Sequence, residues 1–156
     1  RYPWRGVVGR YKKVDLKAID DAIVHTNLED KKTTLVDELS GGEKQRAYIA
    51  MLMAQNSSML ILDEPTSALD VKFQYQIMEL LAQLCEKMQK TILIIVHDIN
   101  LALRYATDII ALKKGEIFYV GNKQKFSENI ELSQLYSTDI TMINHPKHDH
   151  KVAIVC

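Results

Sequence analysis

Two short apolar runs, Met59-Leu60-Ile61-Leu62-Asp63 and Thr91-Ile92-Leu93-Ile94-Ile95-Val96-His97, bracket a long amphipathic stretch. That alternation constrains the fold more than any other feature of the chain. Between the runs, Phe73, Ile77, Leu80, Leu81, Leu84 and Met88 recur at helical spacing. They predict a helix over residues 71–89 with a single buried stripe. Brief apolar runs with polar ends suit strands buried on both faces, as in a parallel sheet. A further helix is predicted over residues 98–106, with Asp98 as its N-cap. Strand, helix, strand, helix in that order implies right-handed crossovers and an α/β fold with a parallel-sheet core.

The flanking segments are weaker in pattern. Residues 1–14, with two Gly and one Pro, read as an irregular leading segment. Residues 15–26 read as a helix capped by Asp15, with Leu16, Ile19, Ala22 and Ile23 on one face. Residues 42–55 read as a second helix, with Ala47, Ala50, Met51 and Ala54 together. Residues 108–113 and 116–120 flank Lys114-Gly115 and predict a hairpin. Beyond Gly121 the pattern predicts a helix at 127–136 and then short strands.

Composition removes several function classes. A chain of 156 residues with 47% apolar content can bury a core, which excludes global disorder. Twenty Lys plus Arg balance twenty Asp plus Glu, so the basic surface needed for general nucleic-acid binding is missing. No apolar run approaches the roughly 18 residues that span a bilayer. A soluble chain is therefore expected, with any membrane role exerted through a partner. The two cysteines, Cys85 and Cys156, have no paired spacing. That excludes a disulfide scaffold or zinc knuckle and suits a reducing cytoplasm.

Four groups of residues carry candidate chemistry. Ser40 and Glu43, in Leu39-Ser40-Gly41-Gly42-Glu43, have capping-box spacing at a helix start. The two glycines also let backbone N–H groups approach a phosphate at the positive end of the helix dipole. The two roles are compatible, and taken alone the segment favours simple capping. Asp63 and Glu64 end the first apolar run, where α/β proteins bind ligands. They read either as a polar strand end before Pro65 or as two working carboxylates. In the second case one holds Mg²⁺ and the other polarises an attacking water. Asp70 reads as the N-cap of the 71–89 helix. His97 ends the second run in a position parallel to Asp63 and Glu64, which raises its functional weight above that of a lone histidine.

Taken together, the order LSGGEKQR, then LILDEPTSALD about twenty residues on, then IIVHD, resembles the nucleotide-binding ATPase subunit of ABC transporters. The resemblance covers essentially the whole chain. It implies a P-loop NTPase-like α/β fold with a helical subdomain at 1–56. A RecA-like core remainder at 57–121 and a C-terminal extension at 122–156 complete it. It implies that residues 39–43 are the signature motif, with Ser40, Gly41, Gly42 and Glu43 on ATP. Asp63 and Glu64 become the Walker B pair, with Asp63 toward Mg²⁺ and Glu64 catalytic. Residues 67–70 become the D-loop, with Asp70 also on ATP, and His97 becomes the catalytic switch histidine. Glu43 stands where the family usually has Gln. The resemblance further implies ATP and Mg²⁺ as cofactors and a second copy packed head-to-tail. Membrane permease subunits as partners and a peripheral place on the cytoplasmic face of the membrane follow from it as well.

One family element is missing. A phosphate-cradling loop has the form G-x-x-x-x-G-K-[ST], and none of the six glycines here is followed by Lys. The expected reading is the C-terminal part of an ABC ATPase, inactive as an isolated 156-residue chain. The subgroup is read from RYPW at residues 1–4, SGGEKQRAYIAMLMAQ and HDINLALRYATDIIALKKGEI. These resemble ATPases of iron-siderophore importers, particularly the ferric hydroxamate type, with cobalamin and haem importers as close alternatives. ATPases of DNA repair and chromosome maintenance share LSGGEK-type signatures. They typically carry another stretch where this chain has Pro65-Thr66-Ser67, and no coiled-coil heptads appear here. A non-catalytic fragment is the remaining alternative. His145, His148 and His150 read as a solvated tail rather than a metal site. The acidic pairs Asp20-Asp21 and Glu29-Asp30 read as a solvated face.

Overall fold

The computed structural model describes residues 11–129 and 132–156. Most of the leading segment, RYPW included, and part of the predicted 127–136 helix lie outside the described residues. Contacts divide the chain into two compact units, one ending at Ile95 and the other running from Val96 to Cys156.

The first unit holds helices α1 (Lys13–His25), α2 (Gly41–Ala54) and α3 (Val71–Met88) and strands β1 (Met59–Asp63) and β2 (Thr91–Ile95). α1 starts two residues earlier than the sequence suggests, and Asp15 is not its N-cap. Asp15 sits in the first turn, where its carboxylate accepts the Lys12 amide at 2.9 Å. A carboxylate there also faces the positive end of the helix dipole. α1 ends at Thr26, whose hydroxyl donates to the Ala22 carbonyl at 2.9 Å, and Asn27 then turns left-handed.

α2 begins at Ser40, and its buried residues are Gly42, Ile49, Ala50, Met53 and Ala54. Of the expected stripe, Ala50 and Ala54 are buried, whereas Met51 is exposed and Ile49 and Met53 are buried instead. Asp70 caps α3 as predicted, accepting the Phe73 amide at 3.2 Å. Ile77, Met78, Leu81 and Leu84 are the buried stripe of α3.

β1 and β2 pair in parallel from Met59↔Thr91 to Asp63↔Ile95. The expected burial on both faces is not found. Leu60 and Leu62 are buried, whereas Ile61 is 64% exposed and Leu93 and Ile95 are also exposed. The strands alternate because, among the described residues, this two-stranded sheet is covered from one side only.

In the second unit, α4 (Ile99–Tyr105) is capped by Asp98, whose carboxylate accepts the Asn100 and Leu101 amides. β3 (Asp108–Lys113) and β4 (Glu116–Asn122) form the predicted hairpin, and β4 extends two residues beyond expectation. Lys114 and Gly115 both have positive φ, the pattern of a two-residue turn that matches the strand twist. Helix is described over Lys123–Asn129 (α5) and Leu132–Tyr136 (α6), the first starting four residues ahead of the predicted 127. Phe126 and Leu132 are buried together with Leu103, Ile109 and Ala111 as the core of this unit. β5 (Ile140–Asn144) and β6 (Lys151–Val155) pair antiparallel. His145, His148 and His150 fall in the loop between them and not in a tail. Their rings pack against one another, with centroids 4.6 to 5.7 Å apart.

Candidate functional site

The start of α2 is the most fully built candidate. Ser40 is its N-cap, in extended backbone conformation, and its hydroxyl accepts the Glu43 amide at 3.4 Å. Glu43 reaches back. Its Oε2 accepts the Ser40 amide at 2.8 Å and the Ser40 hydroxyl at 2.7 Å. Its Oε1 lies 3.3 Å from Lys31 Nζ. The Ser40 hydroxyl foremost, then the Ser40 amide, with a smaller part from Lys31, draw the Glu43 carboxyl down from its ordinary 4.5 to about 2. Partial loss of water opposes the shift and is outweighed. Glu43 is therefore a carboxylate at any physiological pH.

Gly41 and Gly42 form the first turn of α2, where amides have no intrahelical acceptor. Contact requires glycine at Gly42 but leaves room for a Cβ at Gly41. A Cβ on Gly42 would meet the Phe73 ring at 3.0 Å, and one on Gly41 would meet Leu69 Cδ2 at 3.6 Å. The glycine pair thus abuts the turn into α3. That turn is itself fixed by Asp70 and by Gln74 Nε2 donating to the Leu69 carbonyl at 2.9 Å. Bare backbone amides at a helix start, pressed against a fixed turn, can approach an anion closely.

Asp63 and Glu64 follow β1. Asp63 is exposed and Glu64 half-buried. Glu64 has φ 43°, in the left-handed region that a residue of this kind rarely adopts. Its amide donates to the Ile95 carbonyl at 3.0 Å. Its carbonyl accepts the Ser67 amide at 3.2 Å and the Ser67 hydroxyl at 3.1 Å. Three such bonds hold the backbone in this unfavourable region. Strain of this sort concentrates at functional positions. Pro65 and Thr66 behind it are buried. His97 belongs to the second unit, is exposed, and directly precedes the Asp98 cap of α4.

The structure brings Gly41, Gly42 and the 69–73 turn together within the first unit, and carries Asp63 and Glu64 on the end of its sheet. Two residues in contact with the site were not singled out by sequence. Lys31 lies in a short 3₁₀ turn (Glu29–Lys31) with no periodicity to mark it. Phe73 was read only as part of the α3 stripe, although its place three residues after a cap puts it beside Gly42. Among the described residues, no group of three or more His, Cys, Asp and Glu is set to hold a metal ion. Asp63 alone is nonetheless a suitable donor for Mg²⁺, which takes one or two carboxylates and completes its shell with phosphate oxygens and water.

The sequence profile of the ABC transporter family matches residues 8–67. The chain is 40% identical over 144 residues to the probable siderophore transport system ATP-binding protein YusV of Bacillus subtilis (strain 168). That match covers 86% of this chain and 52% of the relative. The fold is similar to an inward-facing conformation of an ABC transporter assigned to the metal-chelate type. There the TM-score is 0.84 at 26% identity, over 96% of this chain and 61% of the other. It is also similar to the dimeric post-hydrolysis ATP-binding cassette MJ0796 bound to ADP and Pi. In that case the TM-score is 0.61 at 34% identity, over 74% of this chain and 50% of the other. The chain spans about half the length of the curated relatives it matches.

Proposed function

The chain belongs to the family of ABC transporter ATP-binding subunits, and we propose that it supplies the phosphate-sensing and water-activating part of an ATPase that drives iron-siderophore import. The observation that carries this is the start of α2, where Gly41 and Gly42 follow the Ser40 cap and leave bare first-turn amides. A capping box needs neither glycine; Gly42 is required by the Phe73 ring beside it, whereas Gly41 is exposed and has room for a Cβ. Glycine at position 41 lets an anion come close to these amides.

In this reading the Ser40 hydroxyl and the Gly41 and Gly42 amides hold the γ-phosphate of ATP bound by a second copy, packed head-to-tail. Glu64 accepts a proton from the water that attacks phosphorus, and His97 donates a hydrogen bond to the γ-phosphate or to that water. Asp70 orders the turn beside the glycines. Asp63 would hold Mg²⁺, which when bound neutralises charge on the phosphate oxygens. Residues 1–35 pass closure of the pair to membrane permease subunits, and the protein sits on the cytoplasmic face of the membrane as a peripheral subunit. Among the described residues no helix is long and apolar enough to cross a membrane. The siderophore assignment is supported by the name of the relative above. The hydroxamate type is supported by the sequence around His97.

The 156 residues contain no phosphate-cradling loop, so the test uses the full-length protein. Glu64→Gln is expected to lower ATP turnover by about 10²–10⁴, the usual cost of losing a general base, while leaving ATP binding intact. Because ATP then persists, this variant should sediment as a dimer with ATP and Mg²⁺ and as a monomer without. Adding Ser40→Arg should abolish the dimer. Dimerisation indifferent to ATP or to Ser40 would rule out the head-to-tail reading.

A further inference from the structure

We infer that Lys31 is a positioning residue for the phosphate site: it neutralises Glu43, and so allows the start of α2 to accept a second anion. The inference rests on reading that helix start as the γ-phosphate receptor. Glu43 presents the difficulty. Its carboxylate already occupies the Ser40 amide and hydroxyl, at 2.8 and 2.7 Å, and the hydroxyl is one of the donors assigned to phosphate. It is fully charged at neutral pH. An arriving γ-phosphate therefore meets a like charge on its own donors, and repulsion over a few ångströms weakens binding.

Lys31 answers both parts of this problem. Its ammonium is 3.3 Å from Oε1, the Glu43 oxygen that does not contact Ser40. It halves no hydrogen bond of the cap, but it cancels the charge and gives the carboxylate a place to stay when the Ser40 hydroxyl turns to phosphate. The side chains are 37% and 20% exposed for Lys31 and Glu43. Water can thus reach the pair, and the effect is moderate and screened by salt. Lys31 comes from a 3₁₀ turn and precedes Ser40 by nine residues. With Gln in place of Glu43, no such partner would be needed. Lys31 and Glu43 are therefore a matched pair in this chain.

The experiment is a double-mutant cycle in the full-length protein with Lys31→Ala, Glu43→Gln and the combination. Two readouts are followed: the KM for ATP, and the ATP concentration that half-dimerises the Glu64→Gln background by sedimentation. Lys31→Ala alone is expected to raise both by about threefold to tenfold, with kcat changed less than KM. The shift should shrink at high salt. Lys31→Arg should restore the wild-type values, and Lys31→Ala should be silent when residue 43 is Gln. An equal shift in both backgrounds, or none in either, overturns the inference while leaving the ATPase reading in place. A full-length protein that neither hydrolyses ATP nor dimerises with it overturns that reading, and this inference with it.

Discussion

Glu43 links protonation to folding through the cap it closes. Its carboxyl falls from 4.5 to about 2 on folding, chiefly through the Ser40 hydroxyl. A depressed carboxyl contributes stability that is complete above its unfolded value and is lost as pH falls toward the folded one. In the full-length protein, the melting temperature of wild type should therefore exceed that of Glu43→Gln by a constant margin above about pH 5. The margin should narrow steadily between pH 4.5 and 3. A margin unchanged across that window would mean the carboxylate is not engaged as described. Ser40 and Glu43 were legible as a pair because capping-box spacing is local. Lys31 was not, because nothing in the sequence shows which of several lysines a folded turn will deliver to Glu43. The left-handed backbone at Glu64 was equally hidden. Pro65 after it announces a turn but not its hand.

At the level of elements, local chemistry was readable wherever a cap or a turn decides the geometry. Asp70 and Asp98 cap α3 and α4 as expected, and Lys114-Gly115 closes the β3–β4 hairpin. The reading failed where packing decides. Asp15 became a first-turn residue because Lys12 could already take extended backbone ahead of it. α5 starts at Lys123, ahead of the predicted 127, and places Phe126 in the core of the second unit. For α3, Asp70→Ala should lower stability by about 1 kcal/mol, and Asp70→Ser should restore most of it, since either side chain can cap Phe73. Chemical denaturation of the full-length protein measures both. If Ser fails to recover the stability lost with Ala, the carboxylate acts there by something other than capping.

Across the whole molecule, the parallel pairing of β1 and β2 was predictable from two apolar runs, but its one-sided cover was not. Strand sequences alone do not reveal how many layers meet them. The exposed Ile61, Leu93 and Ile95 record that difference. The candidate site follows the same division. Its residue types and order could be read from the sequence, whereas the close approach of Phe73 to Gly42 required the fold. Because phosphoryl transfer depends on positioning and charge stabilisation, the 156 residues by themselves should release no phosphate from ATP above buffer background. Magnesium-dependent release by contaminant-free chain would show that the missing cradle is dispensable.

The central claim is that this chain is part of the motor of an iron-siderophore importer, and uptake tests it most directly. Cells lacking the gene would be supplied with ferric hydroxamate, ferric catecholate, cobalamin and haem, each labelled. Uptake would be compared after restoring either wild type or Glu64→Gln. The account predicts that deletion abolishes uptake of an iron-siderophore complex, with the hydroxamate first among them. Wild type should restore it and Glu64→Gln should not, while cobalamin and haem uptake stay unchanged. Loss of cobalamin or haem uptake with siderophore uptake intact would contradict the assignment, as would full restoration by Glu64→Gln.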